Sequence, residues 1–242
     1  MKVGVITGTG TYALPDLGAD IEVVHVTRHE EGHRRLSNHV EHKENIVRLR
    51  NAGVDAIVAV TVCGAVDPSV PLGSLIVFDD LHFLANRLAD GSLCTLYDTP
   101  GDPLRGHWIF ERPFAEGIRA ALLEGCRAAG VPARDGGCYG HVDGPRFNTR
   151  AEIRSLAHAG VTAVSQTAGP ETVLAGEAEI PYALLGYATD YANGVTEEPT
   201  PVDELIRLIG ASGETFRQAL TQTLPLLAGA DLTPPGVIYR FE

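Results

Sequence analysis

Apolar residues in this chain fall in short unbroken runs rather than in strict alternation. Stretches rich in β-branched residues at 2–7, 21–26, 56–62, 75–78, 161–165 and 182–188 each read as a strand. A strand with one face in water alternates, so continuous apolar character predicts strands covered on both faces. Between them runs the 3.6-residue pattern of helices, at 42–52, 113–129, 149–159 and 201–224. Three of these patterns stop at a glycine (Gly53, Gly130, Gly160), the residue that best takes the left-handed backbone closing a helix. Strands interleaved with helices predict an α/β fold with a mostly parallel or mixed central sheet flanked by helices. No repeat, low-complexity block or linker divides the chain, so residues 1–242 read as a single domain. The acidic, proline-rich segment 196–201 reads as a surface loop. The stretch around Pro234-Pro235 reads as an extended tail.

Composition narrows the function classes. The chain has 242 residues, 44% hydrophobic and 21% charged, too apolar for disorder. Its 31 acidic residues outnumber 19 basic ones, giving a net charge of −12. Such a surface repels phosphate backbones, so no nucleic-acid partner is expected. A small anion held by local donors remains compatible. No apolar run approaches the ~20 residues that span a bilayer, so no membrane partner is expected. The start, MKVGVITGTG, lacks the pattern of a signal peptide. Cys63, Cys94, Cys126 and Cys138 form no CxxC pair, which suits reduced, mostly buried thiols and a cytoplasmic protein.

Three motifs compete. Gly8-Thr9-Gly10 after the first strand extends to Ala13 as GxGxxA, a dinucleotide fingerprint and the basis of an oxidoreductase alternative. Pro15 disfavours the helix that fingerprint needs, so a phosphate-cradling turn is the better reading. His29-Glu30-Glu31-Gly32-His33 spells HExxH, with His39 in place of a third ligand. That zinc motif needs a helix, whereas this string follows a strand and contains Gly32. The only methionine is Met1, so the methionine turn of the longer motif has no candidate, and no metal is expected. The third signal is a set of anion-binding groups at predicted strand ends: Thr9, Arg28, His29, Thr61 and Thr167. In open α/β sheets such ends converge on one crevice, and hydroxyls with an arginine suit a compact oxyanion.

The ordered set Gly8-Thr9-Gly10, Arg28-His29 with His33, Thr61 before Cys63-Gly64, Gly144-Pro145-Arg146-Phe147, Gln166-Thr167 before Pro170-Glu171, and Thr189-Asp190-Tyr191 resembles the trimeric purine nucleoside phosphorylases, and most closely their methylthioadenosine branch. The resemblance covers roughly residues 1–225. It implies a nucleoside phosphorylase-like fold in a homotrimer or a dimer of trimers, with nucleoside and inorganic phosphate as small-molecule partners and no cofactor.

By position, the resemblance implies that Thr9, Arg28, His29, Thr61, Thr167 and the backbone N–H of Val62 hold phosphate. Phe147 would stack on the purine, and Asp190 would be the catalytic acid facing N7. Asn148 and Gln166 would border the nucleoside, Val202 and Leu205 would line the 5′ pocket, and His107 would reach a neighbouring subunit's site. By residue type alone Phe147, Val202 and Leu205 could equally be core, and His107 an ordinary surface histidine. The implied substrate is 5′-methylthioadenosine or a related 5′-deoxy nucleoside, with 6-oxopurine nucleosides the alternative. Departures bear on that choice. Gln166 replaces a methionine under the ribose, Asn148 a serine or glutamate, and Ala192 a second aspartate. The segment 11–27 before Arg28 is shorter than usual.

Overall fold

The computed structural model describes residues 1–12 and 21–241. In chain order its elements are β1 (Lys2–Thr7), β2 (Glu22–Thr27), α1 (His42–Ala52), β3 (Ala56–Ala65), β4 (Leu75–Val77), β5 (Asp80–His82), β6 (Gly106–Phe110), α2 (Glu116–Ala128), β7 (Ala133–Asp135), β8 (Cys138–His141), α3 (Arg150–His158), β9 (Val161–Ser165), α4 (Ala168–Glu177), β10 (Tyr182–Tyr191), α5 (Val202–Leu226) and β11 (Gly236–Arg240).

The mixed sheet is organised around β3. One edge of β3 pairs in parallel along β10, which carries β4 and then β7. The other edge is divided. β1 pairs with Ala56–Ala59, in parallel, and carries β2 outside it. β9 pairs antiparallel at Gly64 and Ala65 and leads on to β8 and β5. Between these two partners lies a fork in the sheet, spanning residues 60–63.

Both faces are covered, as the unbroken apolar runs predict. Along β3, Ile57, Ala59 and Cys63 pack with Ile46 and Leu49 of α1 and Leu174 of α4. Val58 and Val60 face the opposite way, onto Ile118 and Leu122 of α2 and Phe216 and Leu220 of α5. This is the period-two alternation of a strand, with apolar residues on both sides.

The structure departs from these expectations at several points. Helix α2 begins at Glu116 rather than 113, because Pro113 and its neighbours remain outside the helix. Strands β3 and β10 run three residues further than their apolar stretches, and Cys63, Gly64, Thr189 and Asp190 of these extensions line a cavity. The stretch after Pro235 is no free tail: β11 pairs antiparallel with β6 as a two-stranded ribbon. The cysteines are free thiols, with Cys138 half-buried and the others buried. No described helix is long and apolar enough to cross a membrane.

Candidate active site

The fork in the sheet opens into a cavity of about 290 Å³. Thr9, Arg28, His29, Thr61, Val62 and Thr167 all line it, as do Phe147, Asn148, Gln166, Asp190 and Leu205. Two expected residues do not. Val202, in the first turn of α5, is 70% exposed and lies outside the cavity. Its place on the apolar wall is taken by Ile209, one helical turn beyond Leu205. His107 lies on β6, away from the cavity, edge-on to Phe241.

Each polar group is placed by a local feature of the chain. Gly8-Thr9-Gly10 forms a tight turn, closed by Thr11 N–H donating to the Gly8 carbonyl at 3.0 Å. Gly10 has φ 81°, and a Cβ there would stand 2.8 Å from the Ile209 carbonyl of α5. Only glycine takes that conformation without strain and lets the helix backbone come so close. Ala13, Leu14 and Pro15, the remainder of the dinucleotide fingerprint, lie outside the described residues.

The fork supplies a backbone donor. Successive residues of a strand point their N–H and C=O groups to opposite edges. The Val60 carbonyl accepts from Arg28 Nη1 at 2.6 Å, so residue 60 faces the divided edge. Residue 62 faces the same way, and there neither β1 nor β9 reaches it. The Val62 N–H therefore points into the fork.

Thr167 stands at the N-cap position of α4, yet its hydroxyl makes no capping bond. The Tyr139 phenol does that work, accepting from Thr167 N–H at 3.4 Å and Ala168 N–H at 3.1 Å. The threonine hydroxyl is thereby left to the cavity. The positive end of the α4 dipole lies beside it, which favours an anion.

Arg28 is not the free charge its sequence position suggests. Its guanidinium is fully buried and forks onto Glu171, with Nε to Oε1 at 2.6 Å and Nη2 to Oε2 at 2.7 Å. Tyr182 donates to the same carboxylate at 3.1 Å. Burial would push Glu171 up, but the guanidinium prevails and holds it at about 2. His29 is drawn down to about 4, chiefly by burial, against the pull of the Arg35 carbonyl. The cradle is thus a set of neutral polar groups beside an internally compensated ion pair.

Opposite stands Asp190. The pairing of β10 with β3 slips between Ala188 and Asp190, leaving Thr189 as an extra residue. Bulges of this kind re-aim a side chain. Here the Asp190 carboxylate comes over Gly64, where a Cβ would stand 3.2 Å from Oδ2. Burial raises its pKa, partly opposed by the Thr189 hydroxyl, which donates to Oδ1 at 2.8 Å. A carboxyl so placed holds its proton at higher pH than usual and can serve as a general acid.

Gln166 is braced from both ends of its amide. Ser37 donates to Oε1 at 2.8 Å, and Nε2 donates to the Arg146 carbonyl at 3.1 Å. Gly144 makes room for this pair, since a Cβ there would overlap both Gln166 Oε1 and Ser37 Oγ. Ser37 and Ile209 escaped the sequence reading. The helical period from Leu205 points to Ile209, whereas nothing local to Ser37 marks it.

The HExxH string is not the helix a zinc site requires. Glu30, Gly32 and His33 all have positive φ, and the His29 and His33 rings stack at 4.2 Å rather than converging on a point.

A 6-oxopurine nucleoside phosphorylase from Pyrococcus furiosus is 30% identical over an alignment of 251 positions, spanning 93% of each chain. An S-methyl-5′-thioadenosine phosphorylase from Chloroflexus aurantiacus is 29% identical, over 91% of this chain and 84% of that one. A solved adenosine/methylthioadenosine phosphorylase double mutant from Schistosoma mansoni, bound to adenine, superposes with a TM-score of 0.82. Its identity is 25%, over 96% of this chain and 93% of that one. The family model described as the phosphorylase superfamily matches residues 2–225, nearly the whole sheet and its flanking helices. These matches overturn the oxidoreductase alternative suggested by the glycine turn, and the chain belongs to the phosphorylase superfamily.

Proposed function

We propose that this chain cleaves the N-glycosidic bond of a purine nucleoside with inorganic phosphate, releasing the purine and a pentose 1-phosphate. The observation that carries this reading is the opposition, across one cavity, of a cradle of oxyanion donors and a buried carboxyl. Thr9, His29, Thr61, Thr167, the Val62 N–H and the Arg28–Glu171 pair hold phosphate below C1′. The bond breaks through an oxocarbenium-like transition state, which the anion stabilises from beneath. Above, Asp190 gives its proton to purine N7, so the base leaves neutral. Phe147 covers the purine, and Asn148 and Gln166 border base and ribose. Phosphate is a co-substrate, and neither metal nor organic cofactor takes part.

The preferred nucleoside is 5′-methylthioadenosine or a related 5′-deoxy nucleoside. Leu205 and Ile209 offer a 5′-hydroxyl no partner, and burying one unpaired costs about 1–3 kcal/mol. A second reading, preference for 6-oxopurine nucleosides, is favoured by the Pyrococcus relative and by Ala192 in place of a second aspartate. Residues 1–242 act as one cytoplasmic catalytic unit, assembled as a homotrimer or a dimer of trimers in which His107 reaches the neighbour's site.

The test is purine release from methylthioadenosine, adenosine, methylthioinosine and inosine, with and without phosphate. Release only with phosphate, fastest for methylthioadenosine, is expected. Equal release in phosphate-free buffer would establish a hydrolase instead. Inosine as best substrate would establish the second reading.

A further inference from the structure

The phosphate cradle contains one group of the wrong polarity for a fully ionised anion. His29 Nδ1 lies 2.8 Å from the Arg35 carbonyl oxygen. A carbonyl only accepts, so Nδ1 carries the hydrogen and Nε2 of the neutral ring is a bare lone pair. That nitrogen borders the cavity at the glycine turn, where a Cβ on Gly8 would stand 3.7 Å from it. The only hydrogen bond the ring makes to a described residue is the one through Nδ1.

The groups around the ring resist a second proton. Arg28 precedes it in the chain, and a Cβ on Gly8 would also stand 3.1 Å from Nη1 of that guanidinium. His33 stacks on the ring at 4.2 Å and bonds Tyr12 through its own Nδ1. Glu171 favours a proton, but its carboxylate is already engaged by Arg28 and Tyr182. Arg35 is turned away toward Glu30 and Glu41. The Thr9, Thr61 and Thr167 hydroxyls can rotate to donate or accept. His29 Nε2 in this tautomer can only accept.

We propose that His29 determines which oxyanion the site takes: it selects hydrogen phosphate, whose P–O–H donates to Nε2, over tetrahedral oxyanions with no proton to give. This rests on the phosphorolytic reading and adds a discrimination to it. Sulfate has nearly the same size and shape but is fully ionised, so one of its oxygens would meet the nitrogen lone pair to lone pair. Selectivity of this kind comes from a repulsive element against the wrong ligand. The proton in that bond is the one hydrogen phosphate already carries, so no covalent bond changes on binding.

The experiment is calorimetry of phosphate and sulfate binding to the intact enzyme, in two buffers of different ionisation heat. At about pH 8 free phosphate is mostly the monohydrogen dianion, which already carries the proton the ring accepts, so binding without net proton uptake is expected. Sulfate should bind at least about tenfold more weakly, consistent with one lost hydrogen bond. A His29→Gln variant, whose amide can turn to donate, should narrow the gap between the anions. If that variant does not fold, the wild-type ratio of the two affinities decides alone. Sulfate binding as tightly as phosphate, or either anion binding with uptake of one proton by the ring, would overturn the role of His29 and leave phosphorolysis standing. Failure of phosphate to bind at any pH would overturn both.

Discussion

Asp190 is costly where it stands. A carboxyl whose pKa is raised in the folded protein contributes stability below its ordinary range and loses it as pH rises through the folded value. Its ionised form therefore weakens the fold at neutral pH. Asp190→Asn should raise the thermal midpoint near neutrality while lowering kcat by about 10²–10⁴-fold, the usual worth of a general acid. Wild-type kcat should fall on the alkaline side, as the acid loses its proton, and Asp190→Asn should flatten that limb. The Arg28–Glu171 pair behaves in the opposite sense. A carboxylate held at about 2 adds stability above the ordinary range and loses it as pH falls toward that value. Arg28→Ala strands a buried carboxylate, so a loss of about 3–5 kcal/mol is expected in denaturant melts, along with weaker phosphate binding. Arg28→Met combined with Glu171→Leu should restore much of the stability and none of the phosphate affinity. Here the sequence was legible only in part. It marked Arg28 and the Pro170-Glu171 motif separately, but residues so far apart in the chain carry no local sign that they pair.

The elements divide by how they earn their shape. β1, β9 and the apolar parts of β3 and β10 were legible because burial on both faces writes itself as an unbroken apolar run. β5, β7 and β8 are only three or four residues long, and polar positions interrupt them. Their pairing defines them, which no short window of sequence can show. β6 and β11 were missed for the same reason, each being a strand only against the other. Helix α3 is the contrary case. Thr149 and Glu152 complete a capping box, the Thr149 side chain accepting from Glu152 N–H and the Glu152 carboxylate from Thr149 N–H, and the chain enters the helix just after Phe147 and Asn148. Helix α4 borrows its cap from Tyr139 on β8. Tyr139→Phe should leave two buried N–H groups without that partner and destabilise by about 1–3 kcal/mol. It should also raise KM for phosphate, because the Thr167 hydroxyl becomes the nearest replacement cap. Unchanged phosphate KM in a destabilised variant would show that Thr167 does not change partners.

At the scale of the whole molecule, one face remains unfinished. Leu84 is 85% exposed and shares a groove with Leu93, Phe110 and His107. Soluble monomers rarely leave such apolar surface in water. The proposed trimer or dimer of trimers would cover it, and light scattering should give three or six times the chain mass. Leu84→Glu should shift the population to smaller species and, on the proposed reach of His107 into a neighbour's site, raise KM for the nucleoside. The forked sheet has its own consequence for how protons leave the backbone. β3 runs through the middle of the molecule, and most of its amides should exchange with solvent only on global unfolding. Val62 is the exception: an amide in the central strand, at an edge where no strand covers it. In solvent deuterium it should exchange early, among neighbours that exchange last. Saturating phosphate should slow it, making one backbone proton a direct reporter of occupancy.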